Sequence, residues 1–225
     1  MANICIFGDS VARGVVIDEI KNKYSFLKEN FSYVMTEKNH NAVRNFAKFG
    51  CTVSKGLDVI RKKAGSLSNY DYTILEFGGN DAALNWKEVS DSPYMDHSSK
   101  VPADTFKTKY ADLINQTKKA GTTPVLLTLP PMDSRKYFSW ISKDLDQESI
   151  LEFLDGDVNA LAEGHLEYNQ MILDLADECN VPVIDIHSEF LKQKDFKSFL
   201  CLDGVHPNKA GHELMAKTIE SALNC

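Results

Sequence analysis

The sequence predicts a three-layer α/β domain, with a five-stranded parallel sheet flanked by helices. Three observations carry this prediction. Short apolar runs alternate with helical stripes along the 225 residues, which is the pattern of strand–helix–strand units. The run over 124–129 is almost wholly apolar, as a parallel strand covered on both faces requires. No repeat, low-complexity segment or linker breaks the alternation, so a single domain over 1–225 is expected.

Residues 3–7 form the first expected strand, which stops at Gly8-Asp9-Ser10. Val11, Val15, Val16 and Ile20 recur at helical spacing and predict a helix over 11–20, continued around 24–31. Residues 42–46 read as the second strand and lead to Gly50. Thr52 or Ser54 is placed to cap a helix with the stripe Val53, Leu57, Ile60 and Ala64. The third strand, 72–77, ends at Gly78-Gly79-Asn80-Asp81. An irregular segment over 82–104 follows, long enough to suggest a functional loop.

Phe106, Tyr110, Leu113, Ile114 and Thr117 make the next helical stripe, closed by Gly121. After the fourth strand, Pro130-Pro131 opens a second elaborated segment over 131–157. A long helix is expected over 158–179 and the fifth strand over 181–186. A short helix within 186–200 and a final helix capped by Asn208 complete the chain.

Composition narrows the function classes. Hydrophobic residues are 43% and charged residues 25%, so a packed core is expected and disorder is not. A net charge of -7 argues against a nucleic-acid partner, which needs clustered Lys and Arg. No apolar run is long enough for membrane insertion. The first residues lack a basic region and do not read as a signal peptide. Five cysteines at irregular spacing, Cys5, Cys51, Cys179, Cys201 and Cys225, suggest free thiols in a reducing, cytoplasmic setting. Cys51 and Cys201 read as small buried neighbours of the polar residues described next.

In an open parallel sheet, ligands bind beyond the C-terminal ends of the strands. Ser10 follows the first strand, Gly50 the second and Asn80 the third. Asp203 and His206 lie between the fifth strand and the last helix. Each residue alone has a plainer reading. Ser10 is a natural helix N-cap, Asp203 a turn former before Gly204, Asn80 a left-handed turn residue, and His206 a turn histidine before Pro207. Their convergence favours acyl transfer. A serine hydroxyl needs a base, the base needs an orienting carboxylate, and the developing oxyanion needs fixed donors. Ser10, His206 and Asp203 fill the first three roles. The Ser10 N–H, the Gly50 N–H and the Asn80 amide fill the last.

Asp9 is expected to brace the turn, and His165, on an apolar stripe, to be a satisfied core histidine. His40, His97, His187 and His212 show no metal-ligand spacing, and Asp155 and Asp157 around Gly156 suggest a turn. No metal site is expected, and no phosphate-binding glycine motif is present.

These blocks resemble those of the SGNH hydrolases, also called the GDSL esterase/lipase family. Gly8-Asp9-Ser10 is similar to the nucleophile block and Gly50 to the glycine block. Gly78-Gly79-Asn80-Asp81 is similar to the asparagine block, and Asp203-Gly204-Val205-His206-Pro207 to the final block. Val11 stands where many members carry Leu. The resemblance implies a flavodoxin-like sheet and ester hydrolysis through an acyl-enzyme, with no cofactor and no metal. The substrate implied is a small-molecule ester, soluble or short-chain. The alternatives are a carbohydrate O-acetylesterase, a lysophospholipase, a thioesterase, or a non-catalytic binding protein that keeps the fold. Trp86, Tyr94, Tyr137, Phe138 and Trp140 are expected mainly to pack the two elaborated segments, with one or two lining the acyl or alcohol pocket.

Overall fold

The computed structural model describes residues 2–18, 20–37 and 41–224. The first half contains β1 (Asn3–Gly8), α1 (Ser10–Arg13), β2 (Val15–Asp18), β3 (Lys23–Phe26), α2 (Phe31–Glu37), β4 (Ala42–Asn45), α3 (Val53–Leu67), β5 (Tyr72–Glu76) and α4 (Gly79–Ala82). The second half contains α5 (Trp86–Asp91), α6 (Ala103–Lys119), β6 (Thr123–Leu127), α7 (Ser134–Ser142), α8 (Gln147–Phe153), α9 (Ala160–Glu178), β7 (Val183–Ile184), α10 (Ile186–Leu191) and α11 (Lys209–Leu223). A 3-10 turn at Phe196–Phe199 precedes α11.

The main sheet has five parallel strands in the order β4-β1-β5-β6-β7. The chain moves from β1 to β4 on one side, then crosses to β5 on the other. β1 is therefore the switch point of the sheet, where a cleft opens beyond the strand ends.

Side-chain alternation along β1 splits the core in two. Ile4 and Ile6 join Ile74, Val125 and Leu127 under Met35, Phe190, Met215 and Ile219. Cys5 and Phe7 join Leu75 and Leu126 against Leu57 of α3, Phe106 and Tyr110 of α6, and Ile172 of α9. Burial of Ile4, Ile6 and Phe7 contributes about 1.5–3 kcal/mol for each side chain. The strand that ends at Ser10 is thus firmly held. A third cluster, around Val89, Ile150, Leu154 and Leu161, packs the two elaborated segments onto each other.

Several sequence expectations are corrected. No helix spans 11–20. α1 stops at Arg13 because Gly14 takes a left-handed φ of 80°, a conformation that suits glycine. Val15–Asp18 and Lys23–Phe26 then pair as an antiparallel hairpin. The β-branched run Val15-Val16-Ile17 alternates between buried and half-buried positions, as a strand does. Ile20, expected on the helical stripe, is 96% exposed. The continuation around 24–31 is likewise strand and loop, and the helix comes later, at Phe31–Glu37.

The fifth strand is shorter than 181–186. Val183–Ile184 alone forms β7, and Asp185 accepts the Ser188 N–H to cap α10. The segment 82–104 contains α5, and 131–157 contains α7 and α8, capped by Asp133 and Asp146. Asn208 caps α11 as expected, accepting the Gly211 N–H at 3.2 Å. Thr52 occupies the N-cap position of α3 without a side-chain cap bond. The reason is a carboxylate from another loop, described below.

Candidate active site

Ser10 sits where β1 passes into α1, at the switch point of the sheet. The turn is tight because Asp9 caps the four-residue helix, its Oδ1 accepting the Val11 N–H at 2.8 Å. This agrees with the bracing expected of Asp9. Ser10 Oγ lies 2.8 Å from His206 Nε2, across 196 residues of chain. His206 Nδ1 lies 2.5 Å from Asp203 Oδ2.

The three-residue spacing of Asp203 and His206 closes a local turn. Asp203 Oδ1 accepts the N–H groups of Val205 and His206, each at 3.1 Å. Burial pushes the Asp203 carboxyl up, but hydrogen bonds from the His206 ring and these backbone groups outweigh it. They hold Asp203 below the usual carboxylate range. The geometry therefore favours an ionised Asp203 facing the imidazole.

The Asn80 amide donates to Asp9 Oδ2 at 2.9 Å, which fixes its direction and leaves its second N–H uncommitted to that bond. Gly50 turns the chain at a φ of 66°, with its loop tied to β1 by the Lys48 N–H donating to the Gly8 carbonyl. Among the described residues, no hydrogen bond within the chain takes the Ser10 or Gly50 N–H. Ser10, Gly50, Asn80, Asp203 and His206 all border one cleft of about 550 Å³.

Three positioning contacts were not foreseen from the sequence. Asp81 Oδ1 accepts the Val53 N–H at 2.9 Å, so the Asn80 loop caps α3 in place of Thr52 or Ser54. Asn45 reaches from β4 to donate to the Ala12 carbonyl at 2.8 Å, bracing α1 from the other side. The β2–β3 hairpin delivers Tyr24 to the cleft, its ring 5.4 Å from that of His206 in an edge arrangement. Its hydroxyl accepts from Trp140 Nε1 at 2.9 Å. Burial and the nearby Asp203 push the Tyr24 hydroxyl up to about 12, so it stays a neutral phenol.

Beside the cleft lies a smaller, mainly apolar cavity of about 280 Å³. The two share Gly79, Ala83, Trp86, Tyr137 and His165 in their walls. Trp86 Nε1 donates to the Tyr137 hydroxyl at 3.3 Å. Of the five aromatics singled out, Trp86 and Tyr137 line both spaces and Trp140 lines the cleft. Phe138 packs into the third core cluster, and Tyr94 is largely exposed.

His165 is buried as expected. Yet it forms part of the cavity wall, and among the described residues no hydrogen bond within the chain reaches its ring. His97 and His187 contact the Ser92 and Leu129 carbonyls, while His212 stacks on Phe31. His40 and Cys225 lie outside the described residues. Cys51 and Cys201 are buried. Asp155 and Gly156 both take positive φ, as the expected turn requires. Among the described residues, no group of three or more His, Cys, Asp or Glu side chains could hold a metal ion. Among them, too, no helix is long and apolar enough to cross a membrane.

Fold and geometry together define a class: three-layer α/β proteins with a serine, a histidine and an aspartate aligned at the switch point of a parallel sheet. Within that class, the chain belongs to the GDSL-like lipase/acylhydrolase family, whose sequence model matches residues 6–214. It is 28% identical over 161 residues to the rat isoamyl acetate-hydrolyzing esterase 1 homolog. That match takes in 70% of this chain and 57% of the rat protein, so the chain spans little more than half the relative's length.

Among solved structures, it resembles a lipase/acylhydrolase from Enterococcus faecalis, with a TM-score of 0.67 and 22% identity over 99% of this chain and 95% of that one. A variant of an acetylxylan esterase from Geobacillus stearothermophilus superposes with a TM-score of 0.65 at 16% identity, over 100% of this chain and 94% of that one. The five-stranded sheet and its helices match these folds.

Proposed function

We propose that this chain hydrolyses carboxylic esters through an acyl-enzyme on Ser10. The observation that carries the reading is the unbroken line from Asp203 through His206 to Ser10 Oγ. His206 Nε2 takes the Ser10 proton as Oγ attacks the ester carbonyl. Asp203 holds the imidazole in the tautomer that presents a free Nε2 and supports the imidazolium that forms. The oxyanion is met by the Ser10 N–H, the Gly50 N–H and the Asn80 amide. His206 then returns its proton to the departing alkoxide. A water, deprotonated by His206, releases the acid and restores Ser10.

The two adjoining spaces suggest how the ester is divided. The apolar cavity, of about 280 Å³, suits a short acyl chain. The wider cleft, rimmed by Tyr24, Phe49 and Trp140, suits the alcohol. The substrate is then a small-molecule ester of a short-chain acid. The aromatic rim also favours a second reading within the same chemistry, a carbohydrate O-acetylesterase, because sugar rings pack on aromatic faces. A panel of aryl esters of rising chain length, with acetylated sugars included, separates the two. Simple short-chain esters are expected to give the highest kcat/KM, and a strong preference for acetylated sugars supports the second reading. Trp86→Ala and Tyr137→Ala are expected to shift the optimum toward longer acyl chains. An unchanged chain-length profile in both would remove the acyl-cavity assignment.

A further inference from the structure

The nucleophile turn is held by a residue that lies outside all four motif blocks. Glu76 ends β5 and stands opposite Gly8 in the sheet register, with no exposed surface. Its Oε2 accepts the Asp9 N–H at 3.3 Å and the Ala12 N–H at 3.1 Å. One side chain thus grips the backbone on both sides of Ser10. The approach is close enough to dictate Gly8. A Cβ there would stand 2.9 Å from Glu76 Oε2, 2.7 Å from the Glu76 carbonyl oxygen and 2.6 Å from the Ala12 Cβ.

The remaining oxygen, Oε1, is buried and has no donor reaching it. Oε2 meets the Asp9 N–H, so the two acidic residues share one turn and the charge of one acts on the other. Both Asp9 oxygens already accept N–H groups, from Val11 and from Asn80. Glu76 Oε2 already accepts two. Glu76 Oε1 is the one oxygen of the four with no N–H donor, so an ionised Glu76 would leave buried charge there uncompensated, and a proton on Oε1 relieves it.

We propose that Glu76 is a positioning residue that works as a neutral carboxylic acid, protonated on its buried, unpartnered Oε1 while Oε2 holds the Ser10 turn. Oε2 also accepts the N–H of Asp9, whose carboxylate takes the Asn80 amide, so one buried side chain braces both the nucleophile and an oxyanion donor. This rests on the roles given above to Ser10 and Asn80. Desolvation, and then the adjacent Asp9, hold the Glu76 proton well above the usual carboxylate range. The titratable groups facing this pair are Asp81 from α4, Tyr110 from α6 and Cys51 from the turn before α3. Each adds negative charge on ionising, so each also favours keeping the proton. At alkaline pH the proton leaves, two adjacent carboxylates repel, and the turn and the Asn80 amide loosen together.

Glu76→Gln and Glu76→Leu test this. The glutamine amide oxygen can accept the two N–H groups, but the side chain cannot ionise. Its kcat at neutral pH is expected to stay within about threefold of wild type, since the hydrogen bonds are kept. An alkaline fall in kcat is expected for the wild type and a smaller one for Glu76→Gln. The leucine variant is expected to lose roughly 10²-fold in kcat with little change in KM, the scale of a misplaced reacting group. Infrared difference spectra between wild type and Glu76→Gln are expected to show a protonated carboxyl band at neutral pH. That readout needs neither activity nor a folded leucine variant. Absence of the band, or a glutamine variant as damaged as the leucine one, would overturn the proposal. Failure of the esterase reading would instead appear as wild-type protein inert toward every ester while the band remains.

Discussion

The Asp81 carboxylate accepts the Val53 N–H at 2.9 Å, which joins the turn after β5 to the first residue of α3. The loop that carries Gly50 ends at that helix start, and the turn that carries Asn80 holds Asp81. One hydrogen bond therefore sets the spacing between two of the three oxyanion donors in our account. It also meets an otherwise orphaned helix donor. Asp81→Ala is expected to lower stability by about 1 kcal/mol, the usual cost of a lost cap. It should also reduce kcat more than it raises KM. Chemical denaturation and steady-state kinetics on one short-chain aryl ester check both. A variant of unchanged kcat would separate the cap from catalysis.

Asn80 is held by Asp9 at 2.9 Å, so its amide is aimed before any substrate arrives. Replacing it with Ala is expected to cut kcat by roughly two to three orders of magnitude, the typical loss of one oxyanion donor. Ester KM should move little, because the donor acts on charge that develops during attack. A loss confined to KM would reassign Asn80 to ground-state binding.

Two buried histidines make the fold sensitive to acid. Burial, then the neighbouring His187, lowers His165 from 6.5 to about 4. Burial, then His206, lowers His212 from 6.5 to about 3. Both are neutral in the fold and take up protons when the chain unfolds. Below pH 6.5 the unfolded state binds more protons than the folded one, so stability falls as pH falls through this window. Between pH ~7 and pH ~5 each histidine should withdraw roughly 2 kcal/mol. Urea denaturation at the two pH values measures the total. Substituting His212, which stacks on Phe31 with both ring nitrogens unbonded, by Phe should remove its share. An equal pH dependence in that variant would rule out His212 as the source.

The line Asp203–His206–Ser10 was legible in the sequence because backbone topology carries it. Ser10, Gly50 and Asn80 each follow a strand of the parallel sheet, and a parallel sheet gathers its strand ends on one edge. The expected helix over 11–20 failed for a local reason. Val11, Val15 and Ile20 match a helical period, but Gly14 at positive φ breaks the backbone between them. Four-residue strands offer too few residues to reveal a period of two.

Tyr24 was therefore invisible as a neighbour of His206, since its place depends on a hairpin folding over the sheet. Glu76 did leave a signal. A charged residue inside an otherwise apolar strand run is seldom buried without a partner, and the Asp9 and Ala12 N–H groups are its partners. Asp81 stood in the asparagine block, but its bond to the Val53 N–H was not legible, because that bond exists only across two loops.

The most direct test of the central claim is covalent. A fluorophosphonate should phosphonylate Ser10 Oγ, fluoride leaving from phosphorus as His206 accepts the serine proton, and a mass spectrum of the digested protein should place the adduct on the peptide containing Ser10. Ser10→Ala should take no label and lose ester turnover while keeping its fold. The same ester turnover persisting in Ser10→Ala, or an adduct on a different residue, would contradict the account.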